Sequence, residues 1–432
     1  MISWIIGTGI VMLFFVLLGS GVWVALSLLA IGIASMEFYS SAPVGRVLAS
    51  TVWGAMANWN LTALPLFIWM GEILFRTKLA ENMFRGVAPW VNRLPGRLLH
   101  INVIGCGIFA AVSGSSAATA ATVGRLTLPE LERAGYNRRL SVGSLAAAGS
   151  LGMLIPPSIV LIVYGIAAEV SIARLFLAGL LPGLLLMFLF AAYIAVRALR
   201  DPSVAPPSAA RLPFWKRVAA TRHLLPVLLL IVFVIGSIYS GVATPTEAAA
   251  VGVMGALAIS IAQRSLNRRS FTDALVAATH TTCMIGFIMA TAAFFSVAMG
   301  FSGIPVTLST WIADQGFTAY SLLAILTVFF IIVGCFLDGI SIIVLTAAVI
   351  LPAVQAVGVD LLWFGIYLVI LVEMSQITPP VGFNLFVVQA ISGDDIVRVA
   401  RASAPFFALM LLEVVILIVF PEVVTFLPNL LS

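Results

Sequence analysis

Oxygen-bearing interruptions inside apolar sequence are where this chain of 432 residues could do chemistry. Four stand out: SGSSAATAATVG at 113–124, LIPPS at 154–158, FLDGIS at 336–341 and ITPPVGFNLF at 377–386. In the first, Ser113, Ser115, Ser116 and Thr119 offer hydroxyl and carbonyl oxygens, hard ligands for a small cation or donors to an anion. The tandem prolines Pro156–Pro157 and Pro379–Pro380 carry no N–H, so each pair leaves carbonyls unpaired inside an apolar segment. Freed carbonyls can coordinate a cation, while the N-terminus of the half-helix that follows favours an anion. Asp338 is the only charged residue between Asp314 and Asp360. A lone carboxylate at a membrane helix centre costs roughly 2.5–3.5 kcal/mol, so a bound cation, a proton or a neighbouring amide must accompany it. Thr378, Gly382 and Asn384 flank the second proline pair and add oxygens and backbone access. The structural alternatives are a seam of small residues at 113–124 and plain kinks at the prolines.

Other ionisable residues carry weaker signals. Glu373, five residues before Thr378, could face a transport path, protonate or make an interhelical hydrogen bond. Arg125 could attract an anion or snorkel to the interface. His280 lies within an apolar run with no evident partner. Thr244-Pro245-Thr246-Glu247 has the spacing of a capping box opening a helix, and Ser392-Gly393-Asp394-Asp395 reads similarly. No GxxxxGK[ST] loop, Ser/His/Asp set or paired-carboxylate arrangement is present. Cys106, Cys283, Cys335 and the three histidines have no metal or disulfide spacing, so no cofactor is expected.

The elements that must position these groups follow from composition. The chain is 62% hydrophobic and 9% charged, where soluble domains carry about 25% charged residues. That excludes a soluble globular, disordered or disulfide-rich secreted protein and predicts an all-α polytopic membrane protein. The net charge of +5 comes from short basic clusters between apolar runs, which mark cytoplasmic loops and not a nucleic-acid surface. Residues 1–35 lack a basic n-region, so this stretch is expected to stay as membrane helix. Spans are predicted at 2–18, 22–36, 53–75, 140–166, 172–197, 224–240, 244–262, 274–299, 361–391 and 404–430, about ten in all. Segments 98–128 and 318–352 are too long for one crossing and broken midway, as expected of re-entrant hairpins; 140–166 and 361–391 are expected to be discontinuous helices.

Prolines expose an internal repeat. Pro129, Pro156, Pro157 and Pro182 recur 223 residues later as Pro352, Pro379, Pro380 and Pro405, with Gly135/Gly358 and Leu128/Leu351 on the same offset. Loop 125–139 holds Arg125, Arg133, Arg138 and Arg139, whereas 348–362 holds no Lys or Arg. The positive-inside rule therefore puts the two loops on opposite sides and makes the repeats inverted, with both termini outside. The expected organisation is a first repeat at 1–200, a cytoplasmic linker at 201–223 and a second repeat at 224–432. Inverted repeats with broken helices characterise secondary transporters, whose sites lie near the midplane.

The chain resembles the large membrane subunit of tripartite ATP-independent periplasmic (TRAP) transporters, of the ion transporter superfamily. The resemblance rests on PLFIWMGEILF at 65–75, VSGSSAATAATVG at 112–124, GMLIPPSIVLIVYG at 152–165, TPTEAAAVG at 244–252, FLDGISIIVL at 336–345 and ITPPVGFNLFVVQ at 377–389. It implies a multi-pass protein of the bacterial inner membrane that imports a small organic anion, often a carboxylate, with sodium as coupling ion. It implies an elevator in which both hairpins and both broken helices move against the remaining helices. Two partners are implied, a small four-helix membrane subunit and a periplasmic solute-binding protein. Residue by residue, one sodium site would use Ser113, Gly114, Ser115 and Ser116 with Ile155, Pro156 and Pro157. The other would use Asp338 and Gly339 with Thr378, Pro379 and Pro380. Ser116, Thr119, Ser158, Gly382 and Asn384 are the candidate contacts of the anion. The competing readings are a stand-alone anion carrier or sodium/proton antiporter, with Asp338 carrying the proton, and an intramembrane enzyme, which would need a catalytic dyad.

Overall fold

Where prolines, glycines and capping side chains cut the apolar runs, the helices end. The computed structural model describes Gly9 and residues 12–13, 16–206 and 213–431, and among these it contains helices and no strand. The expected span 2–18 lies mostly outside the described residues, as does the middle of the linker at 207–212. The helices α1 (Val24–Tyr39), α2 (Val44–Met56) and α3 (Ala63–Phe75) come first. The expected single span 53–75 is corrected here. Asn58 accepts the N–H of Asn60 at 3.0 Å and starts a tight turn over Trp59–Thr62, which separates α2 from α3. An amphipathic helix α4 (Leu79–Val91), with a Glu81–Arg85 ion pair at 2.6 Å, leads to the first hairpin.

That hairpin is α5 (His100–Ser113) and α6 (Ser116–Arg133), turned at Gly114 with φ +59°. Only glycine holds such a left-handed turn at no steric cost. Then come α7 (Arg138–Ser150) and α8 (Ile159–Ala167), halves of one segment broken over 151–158, and the 29-residue α9 (Ile172–Arg200). After the linker, α10 (Phe214–Thr221) bends by 56° into α11 (Leu225–Tyr239). Arg217 of α10 stacks 5.4 Å from the Trp90 ring and anchors the linker to α4. Helix α12 (Pro245–Ala262) opens with the expected Thr244–Glu247 capping box.

The long α13 (Arg268–Ser302) and short α14 (Ile304–Asp314) precede the second hairpin, α15 (Ala319–Gly334) and α16 (Gly339–Ala356). Next come α17 (Leu361–Gln376) and α18 (Phe383–Ser392), broken over 377–382. The chain closes with α19 (Ile396–Val419) and α20 (Glu422–Leu430). The expected span 404–430 is thus corrected as well: the helix begins earlier and stops at Phe420, before Pro421.

Among the described residues, five helices are long and apolar enough to cross a bilayer alone, six if α10–α11 counts as one bent span. The expected ten came from apolar runs that the backbone divides into shorter pieces such as α3, α5, α15, α17 and α18. Helix bounds recur on the proline offset. Both ends of α6 and α16 differ by 223, and so do Asn137 and Asp360, the side chains that cap α7 and α17. Both proline pairs contain a cis peptide bond. Close approach depends on small residues: a Cβ added at Gly143 of α7 would lie 2.2 Å from the Ala402 carbonyl oxygen of α19.

Candidate functional site

The first hairpin tip is a compact knot of oxygens. Ser115 has extended backbone and caps α6, accepting the Ala118 N–H at 3.5 Å. Thr119 Oγ1 donates to the Ser115 carbonyl at 2.7 Å, which uses its one proton, so Ser113 Oγ at 2.8 Å donates to Thr119. Ser113, Ser116 and Thr119 are buried. The tip sits directly on the first break. A Cβ at Gly114 would meet the Pro157 carbonyl oxygen at 3.0 Å, and one at Gly152 would meet the Ser115 carbonyl oxygen at 2.6 Å. The structure therefore brings Ser113–Ser116 and Pro157 together, with Ile155 and Pro156 buried in the same break. Asn102 of α5 holds the hairpin to α7, donating to the Ser141 carbonyl and to Ser144 Oγ at 2.9 Å each. Ser158 caps α8, accepting from Leu161 N–H at 3.3 Å, and donates to the Met153 carbonyl, so its hydroxyl is occupied within the break.

One polar contact joins the halves here. Ser116 Oγ donates to Asn384 Oδ1 at 2.6 Å, and Asn384 Nδ2 reaches the Ala146 carbonyl at 3.4 Å. Asn384 is fully buried in α18, just beyond the second break. Two residues expected near the anion thus bind each other across 268 positions of sequence. Gly382 begins α18 with φ +47°, and a Cβ there would lie 2.8 Å from the Thr378 carbonyl oxygen, so the second break folds tightly on itself.

The second tip differs in character. Asp338 caps α16: its Oδ2 accepts the N–H groups of Ile340 and Ser341 at 3.2 and 3.3 Å, and Ser341 Oγ donates to its Oδ1. Asp338 occupies the position of Ser115 on the 223-residue offset. Of the partners expected for this carboxylate, the structure supplies neighbouring backbone amides at a helix N-terminus, and Asp338 is exposed to a cavity. That cavity, about 1060 Å³, is mostly apolar and runs between the second tip, the start of α1 and the middle of α13; His280, Cys283 and Ser341 share its lining with Asp338. Thr378 Oγ1 donates to the Met374 carbonyl at 2.7 Å, and Pro379 and Pro380 are exposed. No hydrogen bond joins Asp338 to 378–380 among the described residues. A Cβ at Gly339 would lie 2.6 Å from Val372 of the same half and 3.4 Å from Met153 Sδ of the first break.

Two further carboxyls were not legible as a pair. Glu373 of α17 and Glu413 of α19 are fully buried, and none of their four carboxyl oxygens has a hydrogen-bond partner among the described residues. Glu413 and the Leu154 backbone of the first break both lie near Glu373. Glu413 stood unnoticed in an unbroken apolar run, with no neighbour of like type to signal it. Arg125 is exposed and forms no ion pair among the described residues. At one end of the bundle, Arg138 bridges the halves, with Nε 3.0 Å from Asp394 Oδ2 and Nη2 donating to the Ser392 carbonyl at 2.6 Å. The Asp394 hydrogen bond pushes the Arg138 guanidinium further above its already high value. Loops 134–139 and 392–395 thus share one end of the bundle.

The arrangement resembles that of known membrane carriers. The family model described as "Tripartite ATP-independent periplasmic transporter, DctM component" matches residues 11–423. The C4-dicarboxylate TRAP transporter large permease protein DctM of Pseudomonas aeruginosa is 34% identical, over 89% of this chain and 90% of that protein. The ectoine/5-hydroxyectoine large permease UehC of Ruegeria pomeroyi is 32% identical over 86% of each. The isethionate permease DctMQ of Oleidesulfovibrio alaskensis is 31% identical over 94% of this chain, which spans 64% of that longer protein. Among solved structures, the YdaH transporter of Alcanivorax borkumensis superposes with a TM-score of 0.66 at 15% identity, over 93% of this chain and 98% of that one.

Proposed function

This chain belongs to the DctM component family of tripartite ATP-independent periplasmic transporters, as a large permease subunit, and from that premise we propose that it imports a small organic anion with sodium as coupling ion. The anion is delivered by a periplasmic binding protein to a complex with a small membrane subunit in the bacterial inner membrane. The substrates in the relatives' names, C4-dicarboxylates, isethionate and ectoine, are small polar organic solutes, the first two anionic.

The observation that carries this reading is the oxygen cluster of the first tip seated on the 151–157 break. Ser113 Oγ, Thr119 Oγ1 and the carbonyls of Ser115 and Pro157 converge without any charged group. Neutral hard oxygens in buried surroundings suit a monovalent cation. On this reading, Ser113, Gly114, Ser115, Ser116, Ile155, Pro156 and Pro157 hold one sodium ion; Asp338, Gly339, Thr378, Pro379 and Pro380 close around a second when the exposed second tip moves inward. Ser116 and Asn384, with Thr119, Ser158 and Gly382 beside them, form the floor on which the anion rests. Binding the anion would exchange the Ser116–Asn384 hydrogen bond for contacts to the substrate. The two halves act as inverted repeats, and α5–α8 with α15–α18 move as one body. The test is uptake into proteoliposomes under an imposed sodium gradient. Ser113→Ala should raise the sodium concentration for half-maximal uptake without changing membrane insertion, and unchanged sodium dependence would remove the first tip from the site.

A further inference from the structure

A second cavity lies far from the tips. It measures about 370 Å³ and is lined by Arg138, Arg139, Arg398 and Arg401, with Asp394, Val142 and Ala402. Arg138 and Arg139 open α7 in the first half, and Arg398 and Arg401 lie one turn apart near the start of α19 in the second. Only Arg138 is neutralised, by Asp394 and Glu132. Arg139, Arg398 and Arg401 have no carboxylate within ion-pair distance among the described residues. The nearby Asp395 is spent capping α19, accepting the Val397 N–H at 3.2 Å. Arg139 is held in place by donating to the Arg401 carbonyl at 3.3 Å.

Three unpaired guanidiniums around one concavity repel each other unless an anion enters, and their planar forks match the oxygens of a phosphate. A smaller cavity of about 170 Å³ shares Arg139 and Ala402 with the first, and adds Arg197 alongside Leu140, Tyr193, Val204 and Pro405. A basic cup continued by a partly apolar groove suits an amphiphile as well as a free ion. We propose that Arg139, Arg398 and Arg401 bind a phosphate group, which bridges α7 and α19 where the first and second halves meet. The phosphate comes from an anionic phospholipid headgroup or from free inorganic phosphate, and bridging it fixes the Gly143–Ala402 contact next to the cup.

The test uses the full chain in phosphatidylcholine nanodiscs, with and without phosphatidylglycerol, and separately with inorganic phosphate. Thermal stability and native mass spectra of retained lipid are the readouts. Phosphatidylglycerol should raise the melting temperature and leave one more tightly retained lipid than phosphatidylcholine does. Arg398→Gln/Arg401→Gln should weaken that retention roughly thirtyfold, from about a fivefold loss per basic residue removed near the lipid surface. A shift produced by inorganic phosphate alone, and lost in the same variant, assigns the site to the free ion. The wild type gives an independent check, since retention must fall as salt rises from about 0.1 to 0.5 M and screens the cup. No shift with either ligand, retention unaffected by salt, or a full shift in the double variant would overturn the proposal.

Discussion

Gly152→Ala adds a methyl group directly beneath the first hairpin tip. The new Cβ would stand 2.6 Å from the Ser115 carbonyl oxygen, 2.7 Å from its carbon and 2.9 Å from the Ser116 nitrogen. All three are backbone atoms, so no side chain can rotate away. Restoring ordinary contact, which begins at 3.4 Å, requires the tip to retreat by about 0.8 Å from the 151–157 break. Overpacking of this kind costs about 1–3 kcal/mol. At the upper end of that range, half of it expressed as misplacement of the Ser115 and Pro157 carbonyls weakens sodium binding by roughly tenfold. Gly107→Ala serves as a control, because its Cβ would meet only the flexible end of Met187, at 2.4 Å from Cε. Sodium titrations of substrate uptake in proteoliposomes should show a roughly tenfold higher half-saturation for Gly152→Ala and little change for Gly107→Ala. Wild-type sodium dependence in Gly152→Ala, at normal expression, would refute the claim that the cation site is built by the tip resting on this break.

Three other outcomes are expected. Asn384→Ala removes the acceptor of the Ser116 hydroxyl and the donor to Ala146, and should cost about 1–2 kcal/mol of thermal stability with a large loss of uptake; a double-mutant cycle with Ser116→Ala should return a coupling near 1 kcal/mol, and additive effects would mean the hydrogen bond is not maintained in the membrane. Asp338→Asn keeps a competent helix cap, so melting temperature should move little while sodium-dependent uptake is abolished; normal uptake would exclude Asp338 from ion binding. Ser115→Leu should block transport by filling the tip against Gly152, and near-normal transport would favour the small-residue seam.

The parts of the fold that could be read from residues are those where backbone chemistry forces a break. Pro156–Pro157 and Pro379–Pro380 interrupt their helices wherever the chain places them, and Gly114 turns the first hairpin because only glycine does so freely. Thr244 and Glu247 form their capping box because the signal lies within four residues. Helices α4 and α14 escaped notice, being too short for a span and, in α4, too charged. The break at 57–62 rests on one Asn side chain inside a run that hydropathy reads as continuous. Contacts between halves left no spacing to read. Nothing in the sequence ties Ser116 to Asn384, Arg138 to Asp394, or Glu373 to Glu413, because such pairs are set by how helices cross and not by their own periodicity. Asp338 is legible as a site from its isolation among apolar residues, and of the partners its charge demands, the N–H groups of the helix it caps are those the fold supplies.

Reconstituted uptake of labelled small organic anions is the most direct test of the central claim. Proteoliposomes carrying this chain with its small membrane subunit should accumulate substrate only when a periplasmic binding protein and an inward sodium gradient are both present. Accumulation by this chain alone, or at the same rate without sodium, would contradict it.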